Sequence, residues 1–315
     1  MDTAAVEVAD MVKSYGSTSA VSGLSLTAAR GAVTALLGPN GAGKTSTVEV
    51  CEGYRRADSG RVRVLGLDPV AHARALKPRV GVMLQSGGVP TGARTGEWLR
   101  LMASFHSRPV PADVLLERLG LASAAGTQYR NLSGGQKQRL AMAAAVIGRP
   151  ELVFLDEPTA GLDPQARHAS WELITELRAA GVGVLLTTHH MEEAERLADR
   201  IVIIDHGRAV AEGTTAELTD ARQEVRFRAT RELDTEALRS ALPSPGHVAA
   251  LDDGGADGCQ YVVTTADSAA PGPAFLAAVT NWCAANAILP EGLRVQQRTL
   301  EDVFLELTGR DLRDS

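Results

Sequence analysis

Residues 33–45 read Val33-Thr34-Ala35-Leu36-Leu37-Gly38-Pro39-Asn40-Gly41-Ala42-Gly43-Lys44-Thr45, and this stretch decides the fold. A short apolar run enters a glycine-rich turn with the spacing G-x-x-x-x-G-K-[ST] and leaves it into a helix-forming segment, the setting of a phosphate-binding loop. The glycines let backbone amides converge on a triphosphate, and the helix that follows turns its positive end toward the anion. Lys44 can reach the outer phosphates and Thr45 can ligate magnesium. Gly38, Pro39, Asn40, Gly41, Ala42, Gly43, Lys44, Thr45 and Ser46 are therefore candidate nucleotide-binding residues. The bland alternative, a tight turn without a ligand, is a rare coincidence at this spacing.

On either side of the loop, apolar runs recur at 152–155, 182–186 and 201–204, each beside a segment with helical spacing. That pattern predicts a buried, mostly parallel sheet in an α/β fold. Residues 62–65 and 208–211 read as short antiparallel strands at its margin. Between about 95 and 130, Trp98, Leu99, Leu101, Met102 and Phe105, then Val114, Leu115 and Leu119, recur at helical intervals and predict an inserted helical subdomain, about 90–148.

Composition shifts near residue 220, so a first domain over 5–220 and a small α+β domain over 221–315 are expected. Residues 224–230 and 261–264 read as strands, 233–242 and 273–289 as helices, and 247–258 as a Gly- and Asp-rich loop. At the tail, Thr299 and Asp302 make a capping-box-like start, Leu300, Val303, Phe304 and Leu307 form one apolar stripe, and Gly309 is the expected stop. The stripe is read as buried on its own chain, with a partner site as the alternative.

The chain has 315 residues and a formal net charge of −6, from 38 acidic and 32 basic side chains. Nucleic-acid binding is not expected without an excess of Lys and Arg to neutralise phosphates. Cys51, Cys259 and Cys283 are odd in number and form no C-x-x-C pair, which fits reduced thiols in a cytoplasm. The first residues lack the charged and apolar pattern of a secretory signal. No apolar run approaches the roughly 20 residues that cross a bilayer, so membrane association is expected through a partner.

Two further elements carry chemistry. Leu152-Val153-Phe154-Leu155-Asp156-Glu157-Pro158 is an apolar strand ending in two carboxylates, which need a cation or a polar network there. Asp156 can hold magnesium, while Glu157, pointing elsewhere, can act as general base on a water; capping of the next helix is the competing reading. In Leu132-Ser133-Gly134-Gly135-Gln136, Ser133 is a good N-cap and the glycines leave first-turn amides bare, giving a second anion-binding helix end.

Together these motifs resemble the ATP-binding cassette family, whose signature is the string 132–136. The resemblance implies a P-loop NTPase cassette that binds ATP and Mg2+. It places Tyr15, in Lys13-Ser14-Tyr15-Gly16, on adenine. Gln85, in Val82-Met83-Leu84-Gln85, falls at magnesium and the transmembrane partner, although Ser86 stands where an acidic residue is common in the family. Asp163, in Gly161-Leu162-Asp163, falls at the dimer interface, and His189, in Thr187-Thr188-His189, at the terminal phosphate. By itself a histidine at a strand end is more often hydrogen-bonded scaffold, the reading given to His190, and it is the motif register that selects His189. Lys44, Glu157 and His189 become the catalytic set, and Thr45, Gln85 and Asp156 the metal set. The motifs lie within 5–220; more narrowly, Glu52-Gly53-Tyr54-Arg55 and residues 299–304 look similar to bacterial drug-exporter ATPases of the daunorubicin-resistance type.

The implied assembly is a head-to-tail homodimer, or a heterodimer with another ATP-binding subunit. In it Gly38 to Thr45 of one copy and Ser133 with Gly135 of the other enclose each ATP. The expected role is the energy subunit of an ABC-2-type exporter, peripheral on the inner face of the cell membrane, docked on separate permease subunits near Gln85. Non-transport members of the family, acting in DNA repair or translation, are the alternative. They resemble tandem cassettes or carry long coiled-coil inserts, which this chain lacks. The accessory domain can strengthen the dimer, regulate turnover or cover the cassette's edge.

Overall fold

The computed structural model describes residues 4–83, 88–220, 223–229, 233–251, 259–266 and 270–308. Residues 1–215 with 307–315 form one compact unit and 216–306 a second. The first unit opens with β1 (Ala4–Tyr15), β2 (Thr18–Ala29), β3 (Val33–Leu37), α1 (Lys44–Cys51), β4 (Ser59–Val64), α2 (Ala73–Leu76) and β5 (Val80–Met83). Next come α3 (Thr95–Ser104), α4 (Ala112–Arg118) and α5 (Gly134–Val146). The unit continues with β6 (Leu152–Asp156), α6 (Pro164–Ala179), β7 (Gly183–Thr188), α7 (Met191–Leu197), β8 (Arg200–Asp205) and β9 (Arg208–Gly213); the short α8 (Thr215–Thr219) follows and, from Ala216 on, counts with the second unit.

The core sheet has six strands in the order β5-β6-β7-β3-β8-β9, all parallel except β9, which runs antiparallel to β8 at the margin. Every residue of β3, β6 and β7 is buried, as continuous apolar runs require when both faces are covered; residues of the β2-β1-β4 sheet, such as Val6, Leu24 and Val62, pack in one core with Leu36, Phe154 and Leu185. Because the chain leaves β3 between β7 and β8, the carboxyl ends of β3, β6 and β7 open on one crevice, where α/β sheets bind ligands.

Residues 62–64 are strand, while Leu65 turns through a left-handed φ of 49°; the strand residues belong to β4 in a separate antiparallel sheet, β2-β1-β4, and not to the margin of the main one. The two long strands beside β4 escape a period-two reading because Asp10 takes a left-handed φ of 49° and the register shifts between Val8 and Met11. Strand β5 is also absent from the sequence reading: it is four residues long, and Gly81 packs so closely that a Cβ would stand 1.9 Å from the Ala145 carbonyl oxygen. In the helical insert, Trp98, Leu99, Leu115 and Leu119 are core as expected, whereas Leu101, Phe105 and Val114 are exposed.

The second unit contains β10 (Gln223–Ala229), α9 (Thr235–Ser240), β11 (Gly246–Leu251), β12 (Cys259–Thr265), α10 (Pro273–Ala285) and β13 (Glu291–Gln297), and α11 (Leu300–Thr308) begins within it. Its antiparallel sheet, ordered β11-β12-β10-β13, with Leu238, Phe275 and Val279 from the two helices in one core, is a split βαβ arrangement. Strands β11 and β13 were not anticipated; the first occupies the start of the expected Gly- and Asp-rich loop, whose residues 252–258 lie outside the described residues. In α11 the capping box forms, with Thr299 N donating to Asp302 Oδ2 at 2.7 Å. Leu300, Val303 and Phe304 are buried and Leu307 is exposed, so most of the stripe buries within the chain; Gly309 is outside the described residues.

Candidate active site

The loop from Gly38 to Gly43 joins β3 to α1 through two close approaches that only glycine permits. A Cβ on Gly38 would stand 2.3 Å from the Ile204 carbonyl oxygen, and Gly43, at φ 100°, would press one 2.3 Å from that of Ala20. Gly43 N-caps α1 without any side-chain bond, so the first-turn amides carry no capping oxygen. Lys44 is buried inside this turn and its Nζ donates to the carbonyls of Gly38 at 2.7 Å and Pro39 at 3.0 Å. Burial lowers its pKa, against the opposing pull of Glu157 and Asp156. Asn40, Gly41 and Thr45 are exposed, Ala42 is buried and Ser46 is half-buried.

At the end of β6 the two carboxylates part. Asp156 Oδ1 accepts from the Thr187 hydroxyl, its register partner on β7, and from Thr45 Oγ1 at 3.5 Å. Burial raises the Asp156 pKa, opposed by those two hydrogen bonds. Glu157 turns away through a left-handed φ of 49°. Its Oε1 stands 3.1 Å from His189 Nδ1 and 4.0 Å from Lys44 Nζ. Three strands thus bring Lys44, Asp156, Glu157 and His189 together. His190 N-caps α7 and donates its backbone N–H to Thr188 Oγ1 at 2.9 Å, the scaffold role expected of it.

The remaining candidates lie elsewhere on the unit. Ser133 caps α5 in a complete capping box: Gln136 N donates to Ser133 Oγ at 3.2 Å and Ser133 N to Gln136 Oε1 at 2.9 Å. The box engages the amides of Ser133 and Gln136, and those of Gly134 and Gly135 take no part in it. This helix end lies beside the 157–163 segment, since a Cβ on Gly135 would meet Leu162 Cδ2 at 3.2 Å and Gln138 Nε2 donates to the Glu157 carbonyl at 2.6 Å. Asp163 N-caps α6 through Ala166 N at 2.9 Å. Tyr15 is 39% exposed, with its hydroxyl 3.4 Å from Glu49 Oε2 and the cations of Lys13 and Arg55 over its ring. Gln85 lies outside the described residues.

Three contributors went unrecognised in the sequence. Thr187 was readable, because parallel pairing of β6 with β7 sets it opposite Asp156. Gln138 and Glu49 act through contacts between distant segments and leave no local signal. Among the described residues no cluster of three or more His, Cys, Asp or Glu forms a metal site. Thr45 and Asp156 instead offer hard oxygen donors of the kind that bind magnesium jointly with phosphate.

Such a fold, with a lysine cage, paired acids and a histidine at one sheet edge, has the form of a P-loop nucleotide hydrolase. Residues 21–160 match the family model described as ABC transporter. The chain is 38% identical over 322 residues to a daunorubicin resistance ATP-binding protein of Streptomyces coeruleorubidus, covering 99% of this chain and 98% of the relative. It is likewise 38% identical to a Nod factor export ATP-binding protein I of Rhizobium meliloti (strain 1021), covering 99% and 90%. A solved ATP-binding subunit of an ABC transporter superposes with a TM-score of 0.62 at 29% identity, over 68% of this chain and 92% of that one. The chain belongs to the ATP-binding cassette (ABC) transporter family, as an ATP-binding subunit that hydrolyses ATP to drive transport. The likeness to these relatives runs on through the second unit, beyond the region that holds the motifs.

Proposed function

We propose that this chain closes head to tail, with a second copy or with another ATP-binding subunit, around two ATP molecules, and so drives an ABC-2-type exporter whose spanning parts are separate permease subunits. The convergence of Glu157 Oε1 on His189 Nδ1 and Lys44 Nζ, at 3.1 and 4.0 Å, carries this reading. Lys44 exchanges its two carbonyl partners for outer phosphate oxygens, Tyr15 stacks on adenine, and Gly38 to Ser46 cradle the phosphates. Thr45, Asp156 and Gln85 hold Mg2+, which when bound offsets negative charge on the phosphate oxygens. Glu157 takes the proton of the attacking water, and His189 steadies both that carboxylate and the terminal phosphate. Ser133 to Gln136 of the second copy close over the same phosphate and Asp163 lies along the seam. The exposure of Ser133, Gly134 and Asp163 supports this arrangement.

No helix among the described residues is long and apolar enough to cross a membrane, which fits a subunit docked on the inner face. A groove of about 510 Å³, lined by Glu52, Leu76, Val82, Gly88, Trp98 and Met102 among others, suits the docking permease. We assign residues 5–220 to the cassette and 221–315 to an accessory domain. The names of the relatives, daunorubicin resistance and Nod factor export, favour transport, of drug-like or other hydrophobic cargo, over DNA repair or translation. Glu157→Gln should keep ATP binding, lower hydrolysis about a hundredfold or more and accumulate an ATP-loaded dimer on gel filtration; unchanged turnover rejects the general-base role.

A further inference from the structure

Behind the catalytic face lies a buried polar cluster that the hydrolytic roles above leave unused. Its centre is Glu193 on α7, 1% exposed, whose Oε1 accepts from Trp171 Nε1 of α6 at 3.1 Å. The hydroxyls of Thr188 and Thr159 lie against the same carboxyl, and Arg167 of α6 is the neighbouring cation. Glu193 Oε2 and Thr159 Oγ1 are both buried with no partner at hydrogen-bond geometry, as is Arg167 Nε. Polar atoms of this kind are seldom left unpaired in a protein interior, and where they are, the site calls for an explanation.

The place of the two threonines supplies one. Thr159 follows Glu157 by two residues, in the loop that runs on to Asp163, and Thr188 immediately precedes His189. Glu193 therefore neighbours both chain segments that deliver the 3.1 Å contact between Glu157 and His189. Thr188 Oγ1 accepts the N–H of His190 at 2.9 Å and its hydrogen has only a long donation, 3.5 Å to the His190 carbonyl, which the Glu193 carboxyl can outcompete.

We propose that Glu193 is a positioning residue that bridges the 157–163 loop to the end of β7, so that base and switch histidine meet the terminal phosphate in one register. It touches neither nucleotide nor water. Burial raises its pKa, which favours the neutral acid, a group that accepts through one oxygen and donates through the other. That pairing suits one indole donor and two hydroxyls, and a glutamine amide reproduces it.

The bridge rests on the roles given to Glu157 and His189, and steady-state ATPase kinetics on the full chain separate the two ideas. Glu193→Ala should lower kcat on the order of tenfold, with KM for ATP within about twofold, because binding groups stay in place while the reacting ones lose register. Glu193→Gln should recover most of that kcat. Thr159→Val, matched in volume, should lower kcat several-fold without moving the melting temperature, and it decides the matter if Glu193→Ala folds poorly. Turnover of Thr159→Val equal to the parent, or Glu193→Gln as slow as Glu193→Ala, overturns the bridge. Full activity in Glu157→Gln would instead sink the assignment beneath it.

Discussion

Two helices in this cassette begin in opposite ways. Helix α1 starts at Gly43, in a left-handed conformation with no side-chain cap, and α5 starts at Ser133, closed by a reciprocal capping box. The first end is incomplete without an anion; the second is already complete in a single copy. Both belong to the proposed ATP sandwich, and on that proposal the difference sets an order of events: the nucleotide should be held first by the loop that needs it, and the signature end should join only when a second copy presents a phosphate good enough to compete with its own Ser133–Gln136 bond. The far ends differ too. Helix α5 runs out at Ile147, whereas α1 is closed by Glu52, a carboxylate at the negative end of its helix.

Three substitutions test the contrast. Lys44→Ala removes the buried cation of the open end, and ATP affinity should fall about a hundredfold by calorimetry, the loss of ~3 kcal/mol expected for a charged hydrogen-bonding group; an affinity within threefold of the parent breaks the comparison at its stronger side. Ser133→Asp keeps the cap but sets a negative charge where the second copy's phosphate should arrive. The melting temperature should stay within about 1 °C while ATP-dependent dimer, trapped in the Glu157→Gln background, drops about tenfold, and an undiminished dimer denies α5 any part in the sandwich.

The smallest effect belongs to Glu52, whose carboxyl burial, with the Asp156 and Glu49 charges adding to it, pushes up to about 8. A carboxyl raised in the folded state favours folding while it stays protonated, so that contribution is lost as pH climbs from the unfolded value near 4.5 toward about 8. Glu52→Gln cannot ionise. Without nucleotide it should match the parent at pH 5 and exceed it by about 3 °C at pH 8 in scanning calorimetry, whereas parallel curves across that range leave Glu52 neutral or solvated throughout.

The same contrast explains what could be read from the chain alone. Lys44, Asp156, Glu157 and His189 sit in contiguous strings whose strand-end placement follows from apolar runs, and the structure brings them together as read. The capping box is legible as Ser133 followed three residues later by Gln136; the N-cap reading of Ser133 holds, and the box engages the amides of Ser133 and Gln136 while those of Gly134 and Gly135, the ones the glycines are read to leave bare, take no part in it. Asp163 marks a limit: its motif suggests an interface, and its carboxylate caps α6. Strands β1 and β2 were missed where the bulge at Asp10 breaks the alternation, and β5 where four residues are too few to show a period. The exposed Phe105 and Leu101 carry helical spacing that periodicity alone cannot distinguish from core.

The tight seat of Gly38 against Ile204 has a consequence for how the molecule is made. The nucleotide loop is translated before the strands that brace it, since its β3 wall pairs with β7 and β8 and its leading glycine rests on a carbonyl at position 204. A ribosome must therefore release the chain through Ile204 before the cradle takes shape, and a nascent chain interrupted short of β7 carries the whole phosphate-binding string with nothing to brace it.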